Sequence, residues 1–366
     1  MAVSTATARI LDKSDEGDRL SRDDAFHLMS LNIHSDDCYA LMAAANQLTH
    51  RLTNSRGVIY SQVGINVWPC PENCNFCYLG TKHGIVTTLH ELAPEEVVSR
   101  AVDFEVAGAD EVYLMTTANY PVGKFLEIGQ EVRRALHPLT DLIANIGDFH
   151  EQEAFQLRDA GFVGVYHVYR FREGIETDIE PERRRATFAA IKEAGLDLRY
   201  CIEPVGPEHS NEEIVEQMCL AREFGAGILS VMRRIPVPGT PFEYSGQVTE
   251  SVIAKIVAVA RLFLGTQIRQ MGVHEPSLLG LRAGAHRICA EVGMNPRDRQ
   301  RDTAHGRGLS VTGCERLLWE AGFTHERKVS PFMAAAYVQS GVIAPTASGQ
   351  RPEVGDPTAH TAPRDS

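Results

Sequence analysis

The chain has 366 residues, of which 43% are hydrophobic and 23% are charged, and its formal net charge is −12. This composition is typical of a globular protein that is long enough for one large barrel or two modest domains. The acidic balance argues against a general nucleic-acid or anionic-membrane surface. Neither a transmembrane run nor a secretory signal is predicted, because no apolar stretch has the necessary length or flanking charge.

The eight cysteines are too few and too scattered for a disulfide scaffold in a chain of this length. Three of them cluster within residues 70–77, which indicates a reducing compartment where thiols stay free to bind metal. We therefore expect a cytoplasmic protein. Four others are interpreted as scattered core thiols: Cys38, Cys219, Cys289 and Cys314.

The N-terminal part is predicted to be a helical extension over residues 1–60, of which the first 20 residues are polar and expected to be poorly ordered. Helical patterns follow at about 22–32 and 36–53. Ser35 and the two aspartates after it suit the start of the second helix, since such side chains accept hydrogen bonds from the first free backbone N–H groups.

From about residue 62, short apolar, β-branched runs alternate with longer amphipathic stretches. The predicted strands are 62–68, 111–116, 141–146, 163–169, 197–203, 227–232, 266–270 and 286–290. The predicted helices between them are about 93–107, 121–136, 150–160, 181–194, 210–224, 250–264 and 276–284. Eight alternations predict an α/β fold, a (β/α)8 TIM-type barrel, with an open doubly wound sheet as the alternative.

The predicted barrel covers residues 61–291. A C-terminal segment over 292–341 is expected to pack on it. The tail over 342–366 is rich in Pro, Thr, Gly and charged residues and has little to bury, so it is predicted to be disordered.

Cys70, Cys74 and Cys77 form a C-x3-C-x2-C motif directly after the first predicted strand. Thiolates select zinc, Cu(I) or iron–sulfur clusters. Three ligands are one fewer than a structural zinc site or an ordinary cluster takes from protein, so one coordination position stays open. Loops at the C-terminal ends of barrel strands build active sites. A zinc-binding protein is the alternative, although no second Cys/His pair stands at a suitable spacing.

The cysteine motif, with Phe76 before its third cysteine, resembles the radical S-adenosylmethionine (SAM) superfamily. Within it, the chain is similar over roughly residues 20–325 to the group of biotin synthase, hydrogenase maturase and methylornithine synthase. The runs 233–241 and 281–286 carry this closer resemblance.

The resemblance implies an enzyme in which the three cysteines hold a [4Fe–4S] cluster and SAM chelates its fourth iron. Reductive cleavage of SAM gives methionine and a 5′-deoxyadenosyl radical, which abstracts a hydrogen atom from a small polar metabolite or biosynthetic intermediate. Rearrangement, elimination, carbon–carbon bond formation and methyl transfer are all open outcomes. A reductant such as flavodoxin or ferredoxin is implied as partner.

The resemblance also implies which residues contact SAM. Phe76 and the segment Val205–Gly206 are expected to lie near the adenine. Thr116 and Thr117, at the end of the second predicted strand, are expected near the amino group, where relatives commonly have a Gly-Gly-Glu type motif.

Two charged residues complete the SAM set that the resemblance implies. Glu173 matches an acidic residue after the fourth strand, and a plain loop acid is the alternative. Arg184 matches an arginine that pairs with the SAM carboxylate in a charge-assisted fork. Its alternative is a surface charge on a helix, because Arg183 and Arg185 flank it.

One departure from biotin synthase concerns its second cluster, a [2Fe–2S] sulfur donor held by three cysteines and an arginine. At the cysteine positions this chain has Leu114, Ile143 and either Tyr200 or Cys201, which as strand neighbours face opposite sides. Only the arginine is retained, as Arg269. Without three thiolates this cluster should not assemble, so sulfur insertion is kept only as an alternative function. Metallocofactor maturation is a second alternative.

Glu203 is the first candidate for a catalytic contact with substrate. It lies in an apolar strand, and a buried charge on a core strand seldom lacks a partner. We expect it to bind a cationic or hydroxylated group of the substrate, with an ion pair to Arg199 or Arg233 as the alternative.

Three further residues near predicted strand ends complete the catalytic set. Arg269, together with Arg234, is expected to clamp a carboxylate or phosphate, with an internal ion pair as the alternative. Tyr169 and Asn145 are expected to line the substrate site.

Overall fold

A computed structural model describes residues 3–291 and 309–328. The α-helices are α1 (Thr5–Asp15), α2 (Arg22–Met29), α3 (Asp36–Thr53), α4 (Pro94–Ala107), α5 (Val122–Ala135), α6 (Glu151–Asp159), α7 (Pro181–Glu193), α8 (Asn211–Glu223), α9 (Glu250–Leu264), α10 (Leu278–Arg282) and α11 (Val311–Glu320). The strands are β1 (Val58–Gly64), β2 (Asn66–Val67), β3 (His90–Glu91), β4 (Glu111–Met115), β5 (Asp141–Asn145), β6 (Gly164–Tyr166), β7 (Asp197–Val205), β8 (Ile228–Arg233), β9 (Gln270–His274) and β10 (Arg287–Ala290).

Eight parallel strands close into a barrel in the order β1, β4, β5, β6, β7, β8, β9 and β10, with β10 pairing back to β1. This closure confirms the predicted (β/α)8 barrel. The two remaining strands, β2 and β3, form a separate antiparallel pair between β1 and α4. None of the described helices has the length and apolarity needed to cross a membrane.

Several helices begin at signals that are visible in the sequence. Ser21 and Asp24 form a capping box at the start of α2, and Ser210 and Glu213 form another at the start of α8. Each box satisfies backbone N–H groups that have no partner inside the helix. At the end of α4, Gly108 adopts a φ of 116°, a conformation that side chains disfavour.

The N-terminal residues differ from the prediction. Residues 1–20 were expected to be poorly ordered, but helix α1 forms there, and Ser4 caps it by accepting a hydrogen bond from the Thr7 N–H. The Ser4 hydroxyl also donates to Asp37 at 2.6 Å. Ile10 is buried against the core, so this helix is held by packing as well as by its cap.

Three strand boundaries also differ from the prediction. The predicted strand 62–68 merges the end of β1 with β2, the predicted strand 163–169 extends beyond the short β6, and the predicted strand 266–270 ends where β9 begins. Each shift changes which residues face the barrel lumen, since side chains alternate along a strand.

Within the predicted C-terminal segment, 309–328 is the part that the structure describes. Leu318 of α11 packs against Gly57, and the Gly57 N–H donates to the Thr324 carbonyl at 2.7 Å. Helix α11 is therefore attached to the start of β1. Residues 292–308 and 329–341 of this segment, and the predicted disordered tail over 342–366, lie outside the described residues.

A buried ion pair closes the N-terminal end of the lumen. Glu111 begins β4 and Arg287 begins β10, and their side chains meet at 2.7 Å while both are almost fully buried. Arg199 approaches the same carboxylate at 3.9 Å. Burial alone would raise the pKa of Glu111, but the two arginines lower it to about 2. Above this layer, a lumenal cluster contains Tyr60, Tyr113, Ile143, Cys289 and Tyr166.

Replacing Glu111 by alanine is expected to lower the free energy of unfolding by about 3–5 kcal/mol, because Arg287 and Arg199 would remain buried without their carboxylate. Urea unfolding followed by circular dichroism measures the loss. The control is Glu320→Ala, which breaks an exposed pair with Arg316 and should change stability by less than about 1 kcal/mol.

The decrease in the free energy of unfolding that Glu111→Ala causes should depend on pH. The pKa of this carboxyl falls from an ordinary value of 4.5 to about 2 on folding, so its ionised form stabilises the fold above pH 4.5. This stabilisation is lost as the pH falls towards 2. A difference between wild type and variant that stays constant over this window would contradict the assignment.

Candidate active site

The three-cysteine loop lies at the C-terminal end of the barrel, directly after β2. Its ends are joined by backbone hydrogen bonds, since the Cys70 N–H donates to the Leu79 carbonyl at 2.7 Å and the Thr81 N–H donates to the Cys70 carbonyl at 3.0 Å. Asn73 turns the loop with a φ of 44°, a conformation that Asn tolerates better than most residues. The sequence between Cys70 and Thr81 is thereby held as a closed loop.

All three loop cysteines are free thiols in partly buried positions. Burial raises the pKa of the Cys74 thiol to about 12, although Arg170 nearby opposes the shift. Within the described residues, the three sulfurs do not form a group in which every pair lies within 4.8 Å. Each thiol can serve as a metal ligand once it is deprotonated.

The segment after β6 is bound tightly to this loop. The Asn75 N–H donates to the Glu176 carbonyl at 2.9 Å, and the Asp178 N–H donates to the Glu72 carbonyl at 2.8 Å. The predicted contact residue Phe76 lies in the loop, with the Arg170 guanidinium 5.8 Å from its ring centre. Two stretches that are distant in sequence thus form one wall of the site.

Thr116 and Thr117, which follow β4, differ in their partners. The Thr117 N–H donates to Asn66 Oδ1 at 3.0 Å, and Asn66 Nδ2 donates to the Thr117 hydroxyl at 2.7 Å. The Thr116 hydroxyl is buried and has no hydrogen-bond partner. A buried polar atom without a partner is uncommon, so this hydroxyl is available to a ligand.

Glu173 is a buried residue with several partners. Its carboxylate accepts hydrogen bonds from the Thr177 hydroxyl at 2.7 Å and from the Arg170 N–H at 2.9 Å. Arg184 Nε lies 3.7 Å from it. Glu173 is therefore a buried acid with several partners, and not the plain loop acid that was the alternative for it.

Arg184 is 5% exposed and therefore is not the surface charge that was the alternative for it. Its guanidinium lies 3.2 Å from Asp148 and 2.9 Å from His167 Nε2, and its Nε has no hydrogen-bond partner. Burial lowers the pKa of Arg184, with Asp148 acting in the opposite direction. Of the two flanking arginines, Arg183 also reaches Asp148 and pairs with Glu72, whereas Arg185 pairs with Glu223.

Val205 and Gly206 end β7 at the same face of the barrel. Val205 is fully buried, and the Gly206 N–H donates to His209 Nδ1 at 2.9 Å. A side chain at position 206 would meet the Arg234 guanidinium, which would have to move. Arg234 itself is buried and paired with Glu208, which is the internal ion pair considered for it.

Glu203 faces the lumen and has partners that the sequence did not indicate. The Tyr166 hydroxyl donates to its carboxylate at 2.6 Å, and Arg170 approaches it at 3.3 Å. The ion pair is therefore made with Arg170, and neither Arg199 nor Arg233 is the partner. A buried carboxylate, a phenol and a guanidinium meet here, which is a set suited to polar groups of a small molecule.

Tyr169 was predicted to line the substrate site, and this prediction is wrong because its side chain points away from the lumen. The Tyr169 ring packs outside the barrel, 6.5 Å from the Phe224 ring and beneath the Arg185 guanidinium. The reason is that side chains alternate along an extended chain, so Tyr169, three residues after the lumenal Tyr166, falls on the opposite face. Tyr166 is the phenol in the lumen.

The prediction for Arg269 is also wrong. Arg269 precedes β9, at the N-terminal end of the barrel, where its side chain is 61% exposed and pairs with Asp197 at 2.5 Å. The predicted strand was displaced by four residues, which put this arginine at the wrong end. Arg287 and Arg199, which both approach Glu111, are arginines of the lumen at that end. Asn145 does end β5 at the face of the cysteine loop, and its carbonyl accepts the Thr116 N–H at 3.0 Å.

The structure also changes which residues stand at the positions that were compared with the [2Fe–2S] ligands of biotin synthase. Leu114 packs in the main core, whereas its neighbour Tyr113 belongs to the lumenal cluster with Ile143. The Tyr200 hydroxyl donates outward to Gln217 at 2.8 Å, so Cys201 is the lumenal residue of that pair. The sequence did not single out Tyr166 or Arg170 as site residues. The one available signal was that Tyr166 ends the short apolar run of β6 and Arg170 follows it.

No family model matches the chain. Among curated proteins, the chain is similar to biotin synthases. The biotin synthase of Carboxydothermus hydrogenoformans is 24% identical over 318 residues, which is 82% of this chain and 95% of that protein. Biotin synthase 2 of Frankia casuarinae is 25% identical over 352 residues, 93% of this chain and 95% of that protein. The biotin synthase of Heliobacterium modesticaldum is 28% identical over 264 residues, 69% of this chain and 79% of that protein.

Among solved structures, the fold is similar to that of methylornithine synthase (PylB), with a TM-score of 0.74 and 18% identity over 91% of this chain and 99% of the other. It is also similar to the FeFe-hydrogenase maturase HydG from Carboxydothermus hydrogenoformans, with a TM-score of 0.72 and 19% identity over 89% of this chain and 80% of the other. At sequence identities this low, the structural similarity shows that the fold is shared and nothing further.

The two adjacent threonines allow a matched test of the site. Thr117→Val should lower the free energy of unfolding by about 1–3 kcal/mol, because the buried Asn66 amide loses its acceptor. Thr116→Val removes a hydroxyl that has no partner and should change stability by less than about 0.5 kcal/mol. Urea unfolding of both variants measures the difference, and equal losses would show that the Asn66 pair does not hold this end of β4.

Proposed function

We propose that this chain, a radical SAM enzyme of the group that includes biotin synthase, methylornithine synthase and HydG, binds a [4Fe–4S] cluster through Cys70, Cys74 and Cys77. The observation that carries the proposal is a loop of three free thiols at the C-terminal face of a closed barrel, joined to a buried Arg–Glu wall. One cluster position would be left for SAM. When bound, the cluster and SAM supply methionine and a 5′-deoxyadenosyl radical.

Several residues of the chain fit the polar groups of SAM. The Thr116 hydroxyl is a buried atom without a partner at the end of β4. Arg184 Nε, 3.7 Å from Glu173, is likewise buried and has no hydrogen-bond partner among the described residues, and the Arg184 guanidinium is a fork that suits a carboxylate. We assign Glu173 and Thr116 to the amino group, Arg184 to the carboxylate, and Phe76 with Val205–Gly206 to the adenine.

The Asp148–His167 pair serves to position Arg184. His167 Nε2 lies 3.0 Å from Asp148, and the Thr187 hydroxyl donates to the same carboxylate at 3.0 Å. Burial alone would raise the pKa of Asp148, but its hydrogen bond with His167 and the charge of Arg184 hold it well below its usual range. Asp148 therefore stays ionised and keeps the guanidinium in place beside the cysteine loop.

The substrate in this proposal is a small polar molecule that enters the lumen from the C-terminal end. The Glu111–Arg287 layer closes the other end, and the rings of Tyr60, Tyr113 and Tyr166 narrow the space between. Glu203 would hold a cationic or hydroxylated group, with Arg170 and Tyr166 fixing its carboxylate, and Asn145 lies at the same rim. This enclosure excludes water from a reactive radical.

Sulfur insertion is not the reaction proposed. The lumenal positions on β4 and β5 hold Tyr113 and Ile143, which offer no thiolate for a sulfur-donor cluster. The proposal includes a one-electron reductant such as flavodoxin or ferredoxin, and a reducing compartment such as the cytoplasm. The proposal leaves the outcome of the reaction open among rearrangement, elimination, carbon–carbon bond formation and methyl transfer.

Cys74→Ala should abolish both cluster binding and SAM cleavage, because two thiolates cannot hold the cluster. The protein is reconstituted anaerobically with iron and sulfide, the iron is counted, and 5′-deoxyadenosine is assayed after addition of dithionite and SAM. Wild type should bind about four irons per chain. The control is Cys219→Ala, a partly buried thiol on α8 that should leave both readouts intact. Zinc binding without cleavage in the wild type would refute the proposal.

Glu203→Gln should separate substrate coupling from SAM cleavage. Basal 5′-deoxyadenosine formation should persist, because Glu203 belongs to the lumen and the loop keeps its cysteines. Stimulation of that formation by a deproteinised metabolite extract should be lost. Glu223→Gln, on the outer surface of α8, is the control that should retain stimulation. Equal stimulation of Glu203→Gln and wild type would remove Glu203 from the substrate site.

A further inference from the structure

Three side chains of metal-ligand type meet at the C-terminal ends of β9 and β10. They are His274, Cys289 and Glu291, and their ligand atoms all lie within 4.8 Å of one another. His274 Nε2 is 2.8 Å from the Glu291 carboxylate. Cys289 is fully buried, and the His274 and Glu291 side chains are only 15% and 17% exposed. None of the three is adjacent in sequence to the cysteine loop.

Two further side chains orient this group from outside it. The Tyr60 hydroxyl lies 3.0 Å from His274 Nδ1, so the other ring nitrogen is directed at Glu291. Gln62 Nε2 donates to Cys289 Sγ at 3.7 Å. Metal-ligating His residues almost always have such a partner on the second nitrogen, which fixes the ring and its tautomer. Tyr60 and Gln62 both belong to β1, so three neighbouring strands build the site.

We propose that His274, Cys289 and Glu291 bind a divalent transition metal, zinc or iron(II), inside the barrel lumen. An imidazole, a thiolate and a carboxylate form a mixed set that suits these borderline metals. Three protein ligands leave one position for a water or a substrate atom, as in catalytic zinc sites. The metal would act on a substrate oxygen or nitrogen as a Lewis acid. This proposal does not depend on the cluster assigned to the cysteine loop.

A second group of similar type, Glu176, Glu208 and His209, is a weaker candidate. Arg172 pairs with Glu176 at 3.0 Å, and Arg234 donates to Glu208 at 2.8 Å. Each carboxylate is thus already neutralised by an arginine, which a metal would have to displace. The group is accounted for as an ion-pair network at the rim of the barrel.

The test uses the full-length chain with Cys70, Cys74 and Cys77 all changed to Ser, so that the loop cannot bind the probe metal. Titration with Co²⁺ should give a thiolate-to-cobalt charge-transfer absorption that saturates near one equivalent. Cys289→Ser in this background should abolish the absorption. Glu291→Gln should retain it but weaken Co²⁺ binding by at least about tenfold. Cys219→Ser, a thiol remote from the site, should behave like the parent.

A second measurement uses the reconstituted chain with its loop intact. Metal analysis after removal of loosely bound ions should find one zinc or one extra iron per chain, which Cys289→Ser loses while cluster iron and circular dichroism stay unchanged. Absence of the cobalt absorption in the folded parent, or its persistence in Cys289→Ser, would overturn the proposal. The three residues would then form an internal ion pair with a neighbouring thiol.

Discussion

One partly buried arginine, Arg170, joins the separate parts of the candidate active site. The Arg170 side chain pairs with Glu203 in the lumen and lies near the Phe76 ring of the cysteine loop, while its backbone N–H donates to Glu173. Burial alone would lower the pKa of Arg170, but Glu203 and Cys74 raise it, so the charge is retained. The same side chain thus links the loop and the lumen, and its backbone links both to the segment after β6.

The two ends of the barrel serve different purposes. At the N-terminal end, Glu111 and Arg287 fill the lumen with a closed ion pair. At the other end, the Thr116 hydroxyl and Arg184 Nε are buried without a hydrogen-bond partner in the part of the chain that the structure describes. Closed barrels commonly divide stability and chemistry between their ends in this way. Among the described residues such atoms also occur at the N-terminal end, where Glu111 Oε1 and Arg287 Nε have no hydrogen-bond partner, so it is the three thiols that set the cysteine-loop end apart.

The sequence was sufficient for the barrel and its cysteine loop, but not for the direction of individual side chains. Strand and helix signals act locally, so eight alternations could be counted. Tyr169 and Arg269 were misplaced because a small error in a strand boundary moves a residue to the other face or the other end. The partnership of Glu203 with Arg170 arises from tertiary contacts that no local pattern encodes. The convergence of His274 and Cys289 likewise depends on the register between β9 and β10.

The pairing of β1 with β10 has a consequence for how the chain is made. Ser61 lies beside Ala290 in the closed barrel, although nearly the whole barrel sequence separates them. During synthesis, the open side of β1 has no strand to pair with until the last barrel strand leaves the ribosome. Contacts between such distant segments form slowly, and an unpaired strand edge invites association with other chains. The nascent protein is therefore most vulnerable to aggregation while β10 has yet to be made.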